Sequence, residues 1–238
     1  MISSNFLKSF PPRNFMCKLV IAGVMYLTPV SMLQLGIGIV IPAILSPISA
    51  QESPSQLNAM LEELGRRETR DQPGSPYQVT NHLGFIGKYQ FGEALLIDLG
   101  YYIPKNCTWY NQGANTNEWH GTWARGIRDV NDFKENGARW QEQAIREAFG
   151  LTWHYLTSQL GSDKLHSLLQ EKNISIAGIV AGSHLVGYEA AIAYLTRGEV
   201  ATDPNNTAIT DYIEEFKHFQ ITPEDFGGSR PPQRIECN

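Results

Sequence analysis

The stretch LGRRETRDQPGSPYQVTNHLGFIGKYQF, residues 64–91, places one glutamate, Glu68, among three arginines and follows it with a loop that closes on Gly-x-x-Gly-Lys-Tyr-Gln. Upstream, Leu57, Met60, Leu61 and Leu64 recur at i, i+3, i+4 and i+7 and form one apolar helical stripe. A further step of four from Leu64 arrives at Glu68, so the stripe carries an acid at its C-terminal end. Burial disfavours the charged form of a carboxyl, and the partial negative charge of a helix C-terminus does so too. A carboxyl with its pKa raised in this way stays protonated near neutral pH, which is what protonation of a glycosidic oxygen requires. The plainer alternative is a stripe that stops at Leu64, with Glu68 pairing with Arg70 at a frayed terminus. Glu62 and Glu63 have acid-first partners four residues on, Arg66 and Arg67, which assigns them to the solvated side.

The elements that must position Glu68 are helical, since helix-period patterns dominate from Pro54 onward and alternating strand patterns are nearly absent. A first helix over about 55–69 ends at the break Asp71-Gln-Pro-Gly-Ser-Pro. A loop of hairpin character, Tyr77 to Phe85, leads through Gly84 and Gly87 into a second helix over about 88–99. Phe91, Ala94, Leu95 and Leu99 face inward there, and Gly100 is the stop. Residues 101–136, rich in Tyr, Trp, Asn and Gly, lack periodicity, the mark of a functional loop or of short elements. A long helix over about 137–158 turns Trp140, Ala144, Ile145, Ala148, Phe149, Thr152 and Leu156 inward, and a shorter one spans about 162–171. The segment ISIAGIVAGSHLVGYEAAIAYL is apolar nearly all round and reads as a central buried helix or helix pair. Thr207 opens a last amphipathic helix with Ile209, Tyr212, Ile213, Phe216 and Phe219 on one side, and the Pro- and Gly-rich residues after Ile221 read as a flexible tail.

The order of these motifs resembles the lysozyme-like lytic transglycosylases, the family that shares its fold with goose-type lysozyme. In that family a helix ends in Glu-Ser, a loop follows, and a Gly-x-x-Gly-Leu-Met-Gln turn opens the next helix. Here Glu68-Thr69 stands for Glu-Ser and GFIGKYQ, Gly84 to Gln90, for the turn, with Lys88-Tyr89 in place of Leu-Met. SHLVG, Ser183 to Gly187, looks like the family's central Ala-Tyr-Asn-Ala-Gly motif, with His184 in the tyrosine's place and Leu185 in that of the asparagine. The late helix bearing Tyr212 looks like the family's helix with a cleft tyrosine. The resemblance covers roughly residues 55–219 and implies a mainly α, lysozyme-like domain over residues 51–220 with a cleft for peptidoglycan glycan strands. It implies Glu68 as the acid that protonates the oxygen between N-acetylmuramic acid and N-acetylglucosamine. The same group, now a base, would take the proton of the muramoyl 6-hydroxyl and close a 1,6-anhydro ring. Thr69, Tyr89, Gln90, His184 and Tyr212 would line the cleft, and no cofactor or metal is implied.

A hydrolase of muramidase type working through two carboxylates needs a second one at ~5–5.5 Å or ~6.5–9.5 Å, for which Asp71, Glu93 and Asp98 are the nearest candidates. Trp109, Tyr110, Trp119 and Trp123 cluster in the aperiodic segment, where aromatic faces suit sugar rings and equally fill a core. His184 on an apolar helix fits a cleft residue or a hydrogen-bonded core histidine. Gly178 and Gly182 form a GxxxG pattern whose mild explanation is close helix packing. Asp129 to Gly137 lacks the carboxylate spacing of a calcium loop. A non-catalytic glycan-binding or scaffolding module, or an anchored structural protein, are the rival classes.

Lys8, Arg13 and Lys18 precede an uncharged run that reaches Ala50, a basic n-region, an apolar h-region and a small residue for cleavage. The run exceeds the ~7–15 residues of an ordinary h-region, so residues 1–50 read as an export signal, as a membrane anchor, or as a buried segment. In either export case the remainder faces away from the cytoplasm, periplasmic or secreted. A net charge of −5 without a Lys/Arg run argues against nucleic acid as a partner. Cys17 falls in the targeting segment, while Cys107 and Cys237 can pair or stay free.

Overall fold

The computed structural model describes residues 55–107 and 116–236. The export and anchor expectations for residues 1–50, the sugar contacts of Trp109 and Tyr110, and the pairing of Cys107 with Cys237 fall on residues outside that range or depend on one.

The described residues form a mainly helical body. Ser55 caps α1 (Gln56–Thr69) by accepting the Asn58 N–H, and the stripe Leu57, Met60, Leu61 and Leu64 is buried as its period requires. The helix ends where Arg70 turns left-handed, its N–H returning to the Arg66 carbonyl. After a 3₁₀ turn at Pro76–Gln78, residues 79–86 form the expected hairpin, closed by an antiparallel bridge between Thr80 and Ile86.

The second helix differs from expectation: α2 spans only Glu93–Asp98, and GKYQ is a tight turn. Gly87 and Gln90 both have positive φ, and the Phe91 N–H donates back to the Ile86 carbonyl at 2.8 Å, a hairpin closure that a right-handed helix excludes. Starting the helix later rotates its face, so that Leu96 and Ile97 are buried while Ala94 is exposed.

The aperiodic segment contains β1 (Tyr102–Ile103), paired antiparallel with β2 (Thr122–Trp123), and a short α3 (Val130–Glu135). The centre is α4 (Gly137–Leu160), which buries Trp140, Ala144, Ile145, Ala148 and Phe149 in the expected register, with α5 (Ser162–Glu171) folding back on it. The apolar segment is a helix pair, α6 (Ile176–Val186) and α7 (Tyr188–Arg197), broken at Gly187. The last helix is α8 (Ile209–Phe216). The GxxxG pair is a packing device: a Cβ on Gly178 would sit 2.8 Å from the Ile213 carbonyl oxygen, and one on Gly182 would sit 2.9 Å from the Ile209 side chain. This close approach of α6 and α8 brings His184 and Tyr212 to one end of the body.

The tail is held to the body as far as Arg234, which pairs with Asp98. Phe226 is buried against Phe149, the Arg230 N–H donates to the Gly150 carbonyl, and the Gln233 N–H donates to the Asp98 carbonyl. Proline and glycine set this path by fixing turns, and one buried aromatic with several backbone hydrogen bonds suffices to hold it. Among the described residues, no helix is long and apolar enough to cross a membrane.

Candidate active site

An open cleft of about 580 Å³ runs along the end of α1, and Glu68, Gln90, His184 and Tyr212 all line it. Four separate parts of the chain supply them: the last turn of α1, the Gly84–Gln90 turn, the end of α6 and the first turns of α8. The Tyr212 hydroxyl donates to Glu68 Oε1 at 2.8 Å. Tyr212 is itself buried, its ring packed beside Phe216 with the Arg67 guanidinium over its face at 5.4 Å.

Burial raises the Glu68 carboxyl above its ordinary value of 4.5. A charge on His184, the Tyr212 hydrogen bond and the Arg67 charge pull it back, and Asp203 adds to the rise. Desolvation outweighs the partners, so the acid form is favoured. Burial and the neighbouring Glu68 also push the Tyr212 phenol upward, so the hydroxyl remains a donor.

The turn that carries Gln90 is held from below. Gln141 on α4, fully buried, accepts the Lys88 N–H through Oε1 at 2.8 Å and donates to the Tyr77 and Phe133 carbonyls at 3.1 Å. A Cβ on Gly87 would lie 2.0 Å from Gln141 Oε1, so this glycine serves both the positive φ and the close approach. Lys88 is only 3% exposed, and its ammonium reaches Glu142 at 2.9 Å and Glu62 at 2.6 Å. Tyr77 and Tyr89 also donate to Glu142, at 3.0 and 2.7 Å. Burial works against the Glu142 carboxylate, yet the hydrogen bonds from Lys88 and Tyr89 and the Lys88 charge hold its pKa below the ordinary range. On the cleft side of the turn, His184 Nε2 lies 2.8 Å from the Tyr89 carbonyl oxygen. A carbonyl only accepts, so Nε2 carries the proton and the ring is fixed against the turn.

The other expected site residues are placed elsewhere. Thr69 is buried and its hydroxyl donates to the Gly65 carbonyl, which satisfies it within α1. Tyr89 is buried beneath the turn, contributing its carbonyl and not its ring. Trp119 and Trp123 stack on one another 5.4 Å apart and pack on Tyr102 and Phe133, and neither lines the cleft; Trp119 Nε1 instead donates to the Gly84 carbonyl at 2.8 Å. The ion pairs also differ from the i,i+4 expectation: Arg66 pairs within α1 at i,i+3 with Glu63, while Arg67 goes to Glu215 and Glu62 to Lys88, partners outside the helix. Tertiary partners win because an exposed i,i+4 pair is worth only ~0.3–0.5 kcal/mol.

Of the candidate second carboxylates, Glu93 accepts the Glu118 and Trp119 N–H groups, Asp98 pairs with Arg234, and Asp71 lies outside the cleft lining. The acid that shares the cleft with Glu68 is Asp203, which the sequence reading missed. Its signal is the turn cluster Asp203-Pro-Asn-Asn-Thr before α8. Asp203 Oδ1 accepts the Asn205 and Thr207 N–H groups, and Oδ2 accepts from Asn205 Nδ2. Arg67, Arg70, Asn81 and His82 also line the cleft and were not anticipated there. Among the described residues, no group of three or more His, Cys, Asp and Glu side chains is placed to hold a metal ion.

The arrangement can deliver a proton into an open groove from a carboxyl held toward its acid form, and can stabilise the resulting carboxylate with one phenolic hydrogen bond. Comparison of the chain with protein-family models, with curated proteins and with solved structures finds no match.

Proposed function

We propose that this chain is a peptidoglycan-cleaving enzyme of the lytic transglycosylase kind, in which Glu68 is the general acid and then the general base. The observation that carries the reading is the Glu68 carboxyl itself, desolvated yet lining a cleft and bonded to Tyr212, at the position its motif resemblance assigns to the acid. Glu68 protonates the glycosidic oxygen between N-acetylmuramic acid and N-acetylglucosamine as the C1–O bond breaks. The carboxylate so formed accepts the Tyr212 hydrogen bond and then takes the proton of the muramoyl 6-hydroxyl, whose oxygen closes on C1. One carboxylate completes this cycle, since the acid is regenerated without water.

Asp203 favours this route over a two-carboxylate hydrolase, because its oxygens are already engaged by the backbone and side chain of its own turn. Mass spectrometry of the muropeptides released from purified sacculi separates the two. Anhydro-muropeptides, one water lighter, support the transglycosylase, and reducing-end muropeptides alone assign a muramidase. A protein that binds sacculi but releases nothing is a glycan-binding module.

A further inference from the structure

We propose that Arg70 is a subsite for a carboxylate of the substrate, one carried by the stem peptide of the muramic acid beside the bond that Glu68 protonates. The inference deepens the peptidoglycan reading and rests on it.

Arg70 and Glu68 line the same cleft from the same end of α1. Arg70 occupies the left-handed position that closes the helix, φ 52°, and Asp71 follows at φ 51°. Glycine is the residue that adopts this conformation at least cost, so an arginine there calls for a use of its side chain. Its neighbours have theirs: Arg66 pairs with Glu63, and Arg67 pairs with Glu215 and covers Tyr212. Among the described residues, the exposed Arg70 guanidinium forms no hydrogen bond or ion pair, although Asp203 lines the same cleft. Asp203 is taken up by its own turn, and burial holds Glu68 toward its neutral form. The chain has a net charge of −5, yet this groove carries two arginines, Arg67 and Arg70, against only those two acids. A planar guanidinium that presents paired N–H donors matches a carboxylate bidentately, and a neutral sugar makes no such demand.

The test uses binding in a Glu68→Gln background, where the substrate is not consumed, with Arg70→Gln and Arg70→Lys added. Three ligands are compared: intact sacculi, sacculi stripped of stem peptides by an amidase, and a neutral chitin oligosaccharide. The expected result is that Arg70→Gln weakens binding to intact sacculi about tenfold or more, as loss of a charge-assisted pair does, while chitin binding is unchanged. Arg70→Lys keeps the charge and recovers part of the loss, and the difference fades with added salt. The amidase cuts the amide between the lactyl group and the stem peptide and so frees a lactyl carboxylate that intact strands lack: a loss that vanishes on stripped sacculi assigns the stem peptide alone, and one that persists there shows that Arg70 takes either carboxylate. Equal binding of all three ligands by the Arg70→Gln and parent proteins overturns the subsite while leaving the enzyme reading standing. So does a drop in melting temperature with unchanged discrimination, since Arg70 would then serve only the helix C-terminus. Failure of the parent protein to bind any of the glycans overturns the peptidoglycan reading and the subsite with it.

Discussion

The Tyr212 hydroxyl is the contact whose removal reports most specifically on the chemistry of Glu68. Tyr212→Phe deletes one oxygen, 2.8 Å from Glu68 Oε1, and leaves a ring that is 3% exposed and packed beside Phe216. A hydrogen bond to a charged acceptor is worth about 1.5–3 kcal/mol, and it is fully made only when Glu68 is a carboxylate. In the transition state for proton donation the charge is partly developed, so about half of that, roughly 1 kcal/mol, is lost from the barrier, about fivefold in rate. The same deletion favours the acid form, so the alkaline limb of the pH–rate profile moves upward, in the direction opposite to the pull Tyr212 now exerts. Steady-state release of soluble muropeptides from sacculi, measured across pH, gives both quantities. An unchanged rate with an unchanged alkaline limb refutes the coupling. A loss of a thousandfold or more refutes the assignment of Tyr212 as a supporting donor and makes it a participant in the chemistry.

Glu68→Gln is expected to stabilise the protein at neutral pH. The folded-state pKa of Glu68 lies above its ordinary value, so stability is full below the unfolded pKa and falls as pH rises toward the folded one. Melting temperatures of the two proteins should coincide at about pH 4 and diverge in favour of the Glu68→Gln variant at about pH 8, as linkage requires for a raised carboxyl; parallel curves would contradict the burial argument. Lys88→Met removes the cation from beside the part-buried Glu142 and should destabilise by about 3–5 kcal/mol in urea denaturation, with much of the loss restored by adding Glu142→Gln. Gly178→Val forces a side chain into the Ile213 carbonyl and should cost about 1–3 kcal/mol by the same assay, with a drop in activity because α8 carries Tyr212. A Gly178→Val variant as stable as the parent would mean that α6 and α8 are not packed this closely.

How much of this was legible in the sequence depends on whether local pattern or tertiary contact decides each position. The stripe through Leu64 pointed as far as Glu68, because helical period fixes direction without knowledge of a partner. The bounds of α4 and α5 and the buried helix pair were legible for the same reason. Gln90 was misplaced on a helix because its left-handed turn is imposed by Gln141, a residue far along the chain. Tyr89 and the two tryptophans carried no mark to separate a ring that meets sugar from one that meets Phe91 or Phe133. Nothing local marked Lys88 as buried, since its partner Glu142 lies on α4, outside any local pattern. The tail's prolines and glycines signalled turns and not disorder, and Phe226 was the residue that should have said so.

Whether Glu68 is the acid that breaks the glycosidic bond is met directly by one measurement: muropeptide release from purified sacculi by the parent protein and by Glu68→Gln, with sacculus binding recorded for both. The expected result is release of soluble anhydro-muropeptides by the parent, none by the variant, and equal binding. Release by the variant at the parent's rate, or no release by either, would mean that Glu68 does not play this part.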